Sequence, residues 1–327
     1  MTNYIIRRLI YMVVTLWFIS LISFFLIELP PGSALDARIQ QLRNMGGDMS
    51  VQQIEALRQQ YGLGDPWYVR YWKWISGAVR GDFGDSFQQG APVSQLIWSR
   101  LGYSVMISGF ALIFAWLVAI PLGVYSATHR YTIPDYLVTV IQFIGISVPE
   151  FLLALLLMVF AARYLNADVG GLFSSAYQNA PWSWDKFVDM LKHLWIPIIV
   201  VSAGSTAWNT RVMRANLLDV LNQQYIQTAR AKGLKESVVV WKHAVRNALH
   251  PLIMALGGVL PALISAEVTT SIVLNLPTTG PLFVTALLNK DMYLAITFLM
   301  MLSVLLVIGN LLADLLLAWV DPRVRLE

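Results

Sequence analysis

The segment Tyr225–Leu234 reads YIQTARAKGL and lies in a basic stretch between two long apolar runs. The residues before it, 217–232, and after it, 236–249, are rich in Ala, Leu, Gln, Lys and Arg and contain no proline, which favours two helices. Gly233 falls between them, where the left-handed conformation open to glycine closes one helix and turns the chain into the next. The pattern therefore predicts two short helices at an angle. The apolar residues expected to hold them against the protein are Leu221, Tyr225, Val238, Trp241 and Val245.

The composition of the chain is that of a membrane protein. Of its 327 residues, 57% are hydrophobic and 13% are charged, whereas soluble domains are about 25% charged. Six apolar runs are each long enough to cross about 30 Å of hydrocarbon as a helix. They are Leu9–Leu29, Leu101–Val124, Tyr136–Ala162, Leu194–Val212, Pro251–Leu274 and Tyr293–Trp319. We therefore expect an all-α integral membrane protein with six transmembrane helices.

Basic residues predict how the chain is oriented in the membrane. They concentrate in segments that alternate spans place on one side: Arg7, Arg8, Arg130, the stretch Arg211–Arg246, Arg323 and Arg325. Because short cytoplasmic loops carry an excess of Lys and Arg, both termini are expected in the cytoplasm. The expected segments are 1–29 for the N-terminus and first span, 30–96 for an extracytoplasmic helical segment, 97–318 for the transmembrane core with a cytoplasmic coupling loop at 216–250, and 319–327 for a cytoplasmic tail.

The segment between the first two spans contains two amphipathic helical patterns. The first is Val51–Tyr61, and the second is Pro66–Val79, in which Trp67, Tyr71, Trp74 and Ile75 form one stripe. Trp and Tyr at this density are typical of a membrane interface. Docking of an external protein is the alternative explanation.

The residue types exclude several kinds of chemistry. There is no cysteine, hence no disulfide, thiolate nucleophile or Cys-based metal site. No lysine is followed by Ser or Thr, so the GxxxxGK[ST] loop that cradles phosphates is absent. His243 and His250 are seven residues apart without a nearby carboxylate, so no metal site is expected. The net charge of +4 comes from the basic loops, which favour the lipid bilayer and partner proteins as binding partners and require no nucleic acid.

Two carboxylates inside the predicted spans are functional candidates, because a charge in hydrocarbon is costly. Glu150 follows Pro149 near the middle of the third span, where lining a translocation path and fixing a helix break explain it equally well. Glu267 lies in the outer half of the fifth span, after Gly257 and Gly258. These five residues are the candidates for a path or hinge.

The segment YIQTARAKGL, followed by WKHAVRNALHP, resembles the cytoplasmic loop of permease subunits of ATP-binding-cassette importers, in the dipeptide, oligopeptide and nickel branch. The general form of that loop is Glu-Ala-Ala, three residues and Gly. Gln227, Thr228, Ala229 and Gly233 stand at those positions here, so the second alanine and the glycine match. The likeness extends to residues 5–33, 57–87, 120–127, 145–151 and 310–326, and so to nearly the whole chain. The segment LPTTG at 276–280 departs from it, since many relatives resemble Trp-Pro-Gly-Leu-Gly there.

The resemblance implies a type I importer permease fold with a cytoplasmic coupling helix between the fourth and fifth spans. It also implies a prokaryotic cytoplasmic (inner) membrane, a second homologous permease subunit, an extracytoplasmic solute-binding protein, and two cytosolic ATPase subunits. ATP and Mg are expected on the ATPases, with no cofactor in this chain, and the solute is a short peptide, a nickel chelate or an oligosaccharide. The expected ATPase contacts are Tyr225, Gln227, Thr228, Ala229, Arg230, Lys232, Gly233, Leu234 and Lys235.

Two other classes of protein, a secondary transporter and an intramembrane enzyme, fit the sequence less well than an importer permease. An ion-coupled secondary transporter needs a proton or sodium relay, for which only Glu150 and Glu267 are available, and no inverted repeat is visible. An intramembrane enzyme needs a nucleophile and base or a metal centre, and the sequence shows neither. Neither class explains the basic helix pair.

Overall fold

The computed structural model describes residues 2–28, 64–167 and 170–320, with the single positions 39, 52, 54 and 55. Within these residues the regular structure is helical, and the one extended pairing is an isolated bridge between Asp85 and Pro92. The helices are α1 (Thr2–Glu28), α2 (Trp67–Ala78), α3 (Val93–Thr128), α4 (Ile133–Ser147), α5 (Glu150–Tyr164), α6 (Trp184–Leu221), α7 (Gln224–Ala231), α8 (Glu236–Val238), α9 (Val245–Ala248), α10 (His250–Val273), α11 (Thr279–Leu288) and α12 (Met292–Val320). The all-α class is confirmed. Of the predicted helix at 51–61 only residues 52, 54 and 55 are described, and these are helical, whereas residues 321–327 of the predicted tail 319–327 lie outside the described residues.

Five of these helices contain a segment long and apolar enough to cross a membrane. The segments are Ile10–Ile27, Val93–Thr128, Trp184–Leu221, His250–Val273 and Met292–Leu317. The pair α4 and α5 makes a sixth crossing if the two helices are taken together.

The third predicted span, Tyr136–Ala162, is not one helix. α4 ends at Ser147, α5 begins at Glu150, and the two axes differ by 109°. Pro149 explains the break, because its ring disfavours a helical conformation of the preceding residue. Val148 accordingly adopts an extended conformation, with φ of −81° and ψ of 121°. The prediction of one transmembrane helix over Tyr136–Ala162 was therefore wrong, and a helix break at Pro149 is what the structure shows.

The fourth span is much longer than the predicted Leu194–Val212. α6 has 38 residues and continues through Pro197. It begins after Ser183, whose Oγ caps the helix by accepting a hydrogen bond of 3.2 Å from the Lys186 backbone N–H. At 1.5 Å per residue α6 is roughly 57 Å long, so it extends beyond a hydrocarbon layer of about 30 Å.

Contacts divide the chain into two units, and the boundaries fall within α3 and α12. The first unit is Met1–Tyr103 with Thr278–Leu305. In it α2 packs against α1 through buried Tyr71 and Trp74, and the Tyr71 hydroxyl lies 2.8 Å from the Ser20 hydroxyl. Trp67 is exposed, so the predicted aromatic stripe is only partly buried.

The second unit is Ser104–Pro277 with Leu306–Glu327. Glycines bring its helices into close contact at several places, among them Gly123 of α3, where an added β-carbon would lie 2.7 Å from the β-carbon of Met213 of α6. Gly309 of α12 lies against Gly257 of α10, since a β-carbon on Gly309 would stand 2.8 Å from the Gly257 carbonyl oxygen. Gly145 of α4 faces Ala207 of α6, where an added β-carbon would lie 3.3 Å from the alanine β-carbon.

Candidate functional site

The segment that follows α6 folds into a short, separate helix. α6 ends at Leu221, and Gln223 adopts an extended conformation, with φ of −71° and ψ of 149°, before α7 begins at Gln224. The predicted continuous helix over residues 217–232 is therefore wrong, because the chain breaks at Asn222 and Gln223. α7 is a separate helix of eight residues.

One side of α7 is fixed to the second unit by an apolar cluster. Ile226 is fully buried and Ala229 is 8% exposed. We call the buried residues around them the anchor cluster, which consists of Val124, Ala127, Met213, Leu217, Ile226, Ala229, Val239, Val240, Ala244, Val245, Ala248 and Leu252. Burying an aliphatic side chain of this size contributes about 1.5–3 kcal/mol, so α7 is held firmly to α3, α6 and α10. Ala229 supports this packing, and its contact with an ATPase stays a prediction.

The other side of α7 and the turn after it form an exposed surface. We call it the coupling surface, and its exposed residues are Tyr225, Gln227, Thr228, Lys232, Gly233, Leu234, Lys235, Val238 and Trp241. Leu234 is 42% exposed and Trp241 is 51% exposed. The prediction that Tyr225, Val238 and Trp241 pack inward was wrong, whereas Val245 is buried as predicted.

A π-helical turn, Val239–Ala244, accounts for the opposite faces of Trp241 and Val245. A π-turn shifts the register of the side chains that follow it. Val239 and Val240 thereby face the anchor cluster, while Trp241 faces outward. Sequence periodicity assumed a regular α-helix and so assigned the wrong face.

The turn at Gly233 is as predicted, with φ of +74°. Its N–H donates to the Arg230 carbonyl at 2.9 Å, which closes the end of α7. Across the turn, the Arg230 guanidinium donates from Nη2 to Oε1 of Glu236 at 2.6 Å and from Nε to Oε2 at 3.1 Å. This hydrogen bonding lowers the pKa of Glu236 and raises the pKa of Arg230. The Asn247 side-chain amide donates a hydrogen bond to the Tyr225 hydroxyl at 2.6 Å and so holds the tyrosine side chain.

The predicted path and hinge residues lie at three different places. Pro149 and Glu150 form the break between α4 and α5, with Glu150 half-buried in the first turn of α5. Gly257 is buried at the crossing with α12, whereas Gly258 is exposed. Glu267 is fully buried, and its carboxylate accepts a hydrogen bond from the Ser271 hydroxyl. Gly257 and Glu267 are ten residues apart on α10, about 15 Å along its axis, so these two do not form one site.

A buried polar group that was not singled out in the sequence lies next to the anchor cluster. Asp135, in the first turn of α4, has a side chain 3% exposed and faces Arg214 of α6. Arg214 donates from Nε to Oδ1 at 3.1 Å and from Nη2 to Oδ2 at 2.9 Å, and Ser126 of α3 also donates to Oδ1. The one sequence signal was a lone carboxylate at the edge of an apolar run, just after Pro134.

Comparison with known proteins identifies the family. Residues 119–326 match the family described as "Binding-protein-dependent transport system inner membrane component", and residues 1–108 match the N-terminal family of such components. The oligopeptide transport system permease protein AppB of Bacillus subtilis is 37% identical over 99% of this chain and 100% of its own length. A putative peptide permease protein of Brucella ovis is 35% identical, and the glutathione transport system permease protein GsiC of Escherichia coli K12 is 31% identical, each over 99% of both chains.

The chain therefore belongs to the family of binding-protein-dependent transport system inner membrane components. It is an ATP-binding-cassette importer permease of the peptide and oligopeptide branch, with the type I fold. It is thus a multi-pass membrane protein and a transport subunit that works with other subunits.

Proposed function

We propose that this chain forms half of the path through which an ATP-driven importer carries short peptides, and that its coupling surface docks on a cytosolic ATPase subunit. The observation that carries the proposal is the two-sided character of α7. Ile226 on one side is fully buried, while Leu234 and Trp241 beside it are about half exposed. Exposed apolar side chains rimmed by Lys232 and Lys235 suit a protein interface.

We further propose that force passes from the ATPase through α7 and the anchor cluster to the membrane-crossing helices. Because the anchor cluster joins α7 to α3, α6 and α10, displacement of α7 moves the ends of three membrane-crossing helices. ATP and Mg are bound and ATP is hydrolysed by the partner ATPases, and closure of two ATPases draws two docked α7 helices together. A second homologous permease supplies the other α7.

Docking is tested by a matched pair of tryptophan variants. Trp241→Glu places a charge in the proposed interface, and we expect it to abolish co-purification of the partner ATPase subunit. Trp184→Glu is the control, because Trp184 is 75% exposed at the distant end of α6. Retention of the ATPase by Trp241→Glu, or its loss from both variants, contradicts docking at the coupling surface.

The solute is proposed to be a peptide because relatives are described as oligopeptide, peptide and glutathione permeases. An extracytoplasmic binding protein delivers it to the path. Vesicles containing the assembled importer are expected to take up radiolabelled trialanine or glutathione only when ATP is supplied to the ATPase side. Uptake driven by a proton or sodium gradient without ATP would instead support a secondary transporter.

The orientation proposed is that of a prokaryotic cytoplasmic membrane protein with both termini inside. The basic residues of the turn, such as Lys232, Lys235 and Lys242, support a cytoplasmic position for the coupling surface. The chain has no cysteine, so a single cysteine at Gln227 is the only target of a thiol reagent. Intact cells are expected to protect it from a membrane-impermeant maleimide, and labelling in intact cells would reverse the orientation.

A further inference from the structure

We infer that Asp135 and Arg214 are positioning residues that make α4 move together with the coupling helix α7, an inference that rests on the proposed function. Three elements meet at the Asp135 carboxylate. Arg214 comes from α6, Ser126 comes from α3, and the backbone N–H of Tyr131 in the turn before α4 donates to Oδ2 at 2.9 Å. Arg214 Nε also lies 3.0 Å from the Ser126 hydroxyl.

These donors hold the carboxylate from several directions. Two come from one guanidinium in the paired geometry that arginine offers to carboxylates. Asp135 is 2% exposed and the Arg214 side chain is 28% exposed, so the charge pair is largely shielded from water and from salt. The turn itself is tight, since Tyr131 adopts a positive φ of 64°. The start of α4 is thus fixed in one position.

The ion pair is continuous with the packing that holds α7. Met213, next to Arg214, is fully buried in the anchor cluster, and Ala127, next to Ser126, belongs to the same cluster. Ile226 of α7 packs into that cluster from the other direction. Displacement of α7 is therefore passed to Asp135 through the anchor cluster and through the backbone that joins Met213 to Arg214 and Ala127 to Ser126.

α4 is also fastened to α6 at its opposite end. Gly145 packs against Ala207 closely enough that a β-carbon would lie 3.3 Å from the alanine side chain. Just beyond that contact, α4 ends at the Pro149 break. A helix tied to α6 at both ends moves as a rigid body, so motion of α7 reaches the break between α4 and α5, where Glu150 lies.

The first test measures the rigid connection in the chain alone. Cysteines at Gln227 on α7 and Ile141 on α4 carry nitroxide labels, since both positions are exposed and the natural chain has no cysteine. In nanodiscs we expect one narrow distribution of spin–spin distances for the otherwise unchanged chain. Asp135→Asn and Arg214→Gln are expected to broaden it. A distribution that stays narrow in both variants overturns the inference.

Arg211→Gln is the matched control for loss of an arginine. Arg211 also touches α4, with its guanidinium 5.4 Å from the Phe143 ring centre, but it is exposed to the surroundings. We expect the buried Asp135–Arg214 pair, and not this surface contact, to hold α4 and α6 together. A broadening by Arg211→Gln equal to that of Arg214→Gln contradicts it.

The second test measures solute molecules moved for each ATP hydrolysed, using trialanine in the reconstituted importer. Asp135→Asn and Arg214→Gln are expected to lower this ratio at least about fivefold, the lower end of typical coupling between sites, while ATP hydrolysis continues. The double variant with both changes leaves no unpaired buried charge, so its stability recovers.

Recovery of stability separates a folding role from a positioning role. The double variant is expected to insert and assemble normally but to keep the low transport ratio, because the charged fastening is still missing. A transport ratio restored to that of the unchanged importer makes the pair merely structural and overturns the inference. If the unchanged importer itself shows no ATP-driven uptake, the proposed function fails, and the distance measurement on the chain alone still decides whether α4 is tied to α7.

Discussion

Gly257 and Gly258 are neighbours in α10 with different surroundings. A β-carbon on Gly257 would stand 1.8 Å from Oδ1 and 3.0 Å from the α-carbon of Asn310, whereas one on Gly258 would meet nothing within 4 Å. Gly257→Ala is therefore expected to destabilise the protein by about 1–3 kcal/mol through overpacking. Gly258→Ala is expected to be neutral or to stabilise by up to about 1 kcal/mol, because alanine is the better helix former.

The midpoint of thermal unfolding in detergent, followed by tryptophan fluorescence, compares the two variants directly. Equal midpoints would show that α10 and α12 do not cross at Gly257. If Gly258 is a hinge, as the sequence suggested for both glycines, Gly258→Ala will impair transport without a change in stability.

Gly233 requires glycine for its backbone conformation and not for space. Its φ is +74°, and an added β-carbon would meet no atom within 4 Å. A left-handed conformation costs other residues roughly 1–2 kcal/mol, with asparagine tolerated best. We expect Gly233→Val to insert into the membrane but to lose ATPase co-purification and transport, and Gly233→Asn to retain both. Loss of function in both variants would mean that the ATPase requires the glycine surface itself.

The backbone conformation at a single residue could be predicted from the sequence where the chemistry of that residue alone determines it. The positive φ of Gly233 and the helix end before Pro149 follow from the chemistry of glycine and proline. The partner of Asp135 did not follow, because Arg214 lies 79 residues away and only the fold brings the two together. Likewise, nothing in the sequence indicates that Gly257 lies against Asn310.

At the scale of helices, periodicity predicted long apolar elements better than short amphipathic ones. α10 and α12 begin and end within about a residue of their predictions, whereas α3 and α6 continue well beyond theirs, because an apolar run indicates the membrane span and not the ends of the helix. The face of the chain around Trp241 was misassigned because one π-turn rotates the register. The angle of 109° between α4 and α5 could not be predicted, because a proline indicates where a helix breaks and not the angle of the break.

The Arg230–Glu236 ion pair makes the junction between α7 and α8 sensitive to acid. Its hydrogen bonds lower the pKa of Glu236, and a carboxylate whose pKa is lower in the folded state stabilises the fold above its ordinary pKa. That contribution is lost as the pH falls through the lowered pKa. Because both side chains are partly exposed, its size is expected to be below about 1 kcal/mol and to shrink in high salt.

Glu236→Gln provides the measurement of this effect. At neutral pH the variant should unfold at a slightly lower temperature than the unchanged protein. The difference should disappear once the pH has fallen well below the lowered pKa of Glu236, where its carboxyl group is protonated. A difference that persists at that pH would show that Glu236 stabilises the turn by packing and not by its charge.

At the scale of the whole molecule, we expect the surroundings of the half-buried Glu150 at the Pro149 break to change between inward-open and outward-open states. We expect a cysteine in place of Glu150 to react with a membrane-impermeant thiol reagent at a rate that changes when the importer binds ATP. Glu150→Gln is expected to assemble and to transport with altered dependence on solute charge. A cysteine equally unreactive in every nucleotide state, with normal uptake by Glu150→Leu, would make Glu150 a structural residue.

The segment before α6 contains one more arrangement with a practical consequence. Lys186, in the first turn of α6, donates from its ammonium group to the carbonyls of Ala180 at 2.6 Å and Gln178 at 3.4 Å, and this group lies 4.8 Å from the centre of the Phe173 ring. Lys186 is 7% exposed, so the loop before α6 encloses it. An amine held in this way is a poor nucleophile, because acylation requires it to lose a proton and leave the carbonyls and the ring. Amine-reactive esters should therefore modify exposed Lys192 readily and Lys186 only when the loop opens. The ratio of modified Lys186 to modified Lys192 peptides in a mass spectrum would then measure how often this loop opens during a transport cycle.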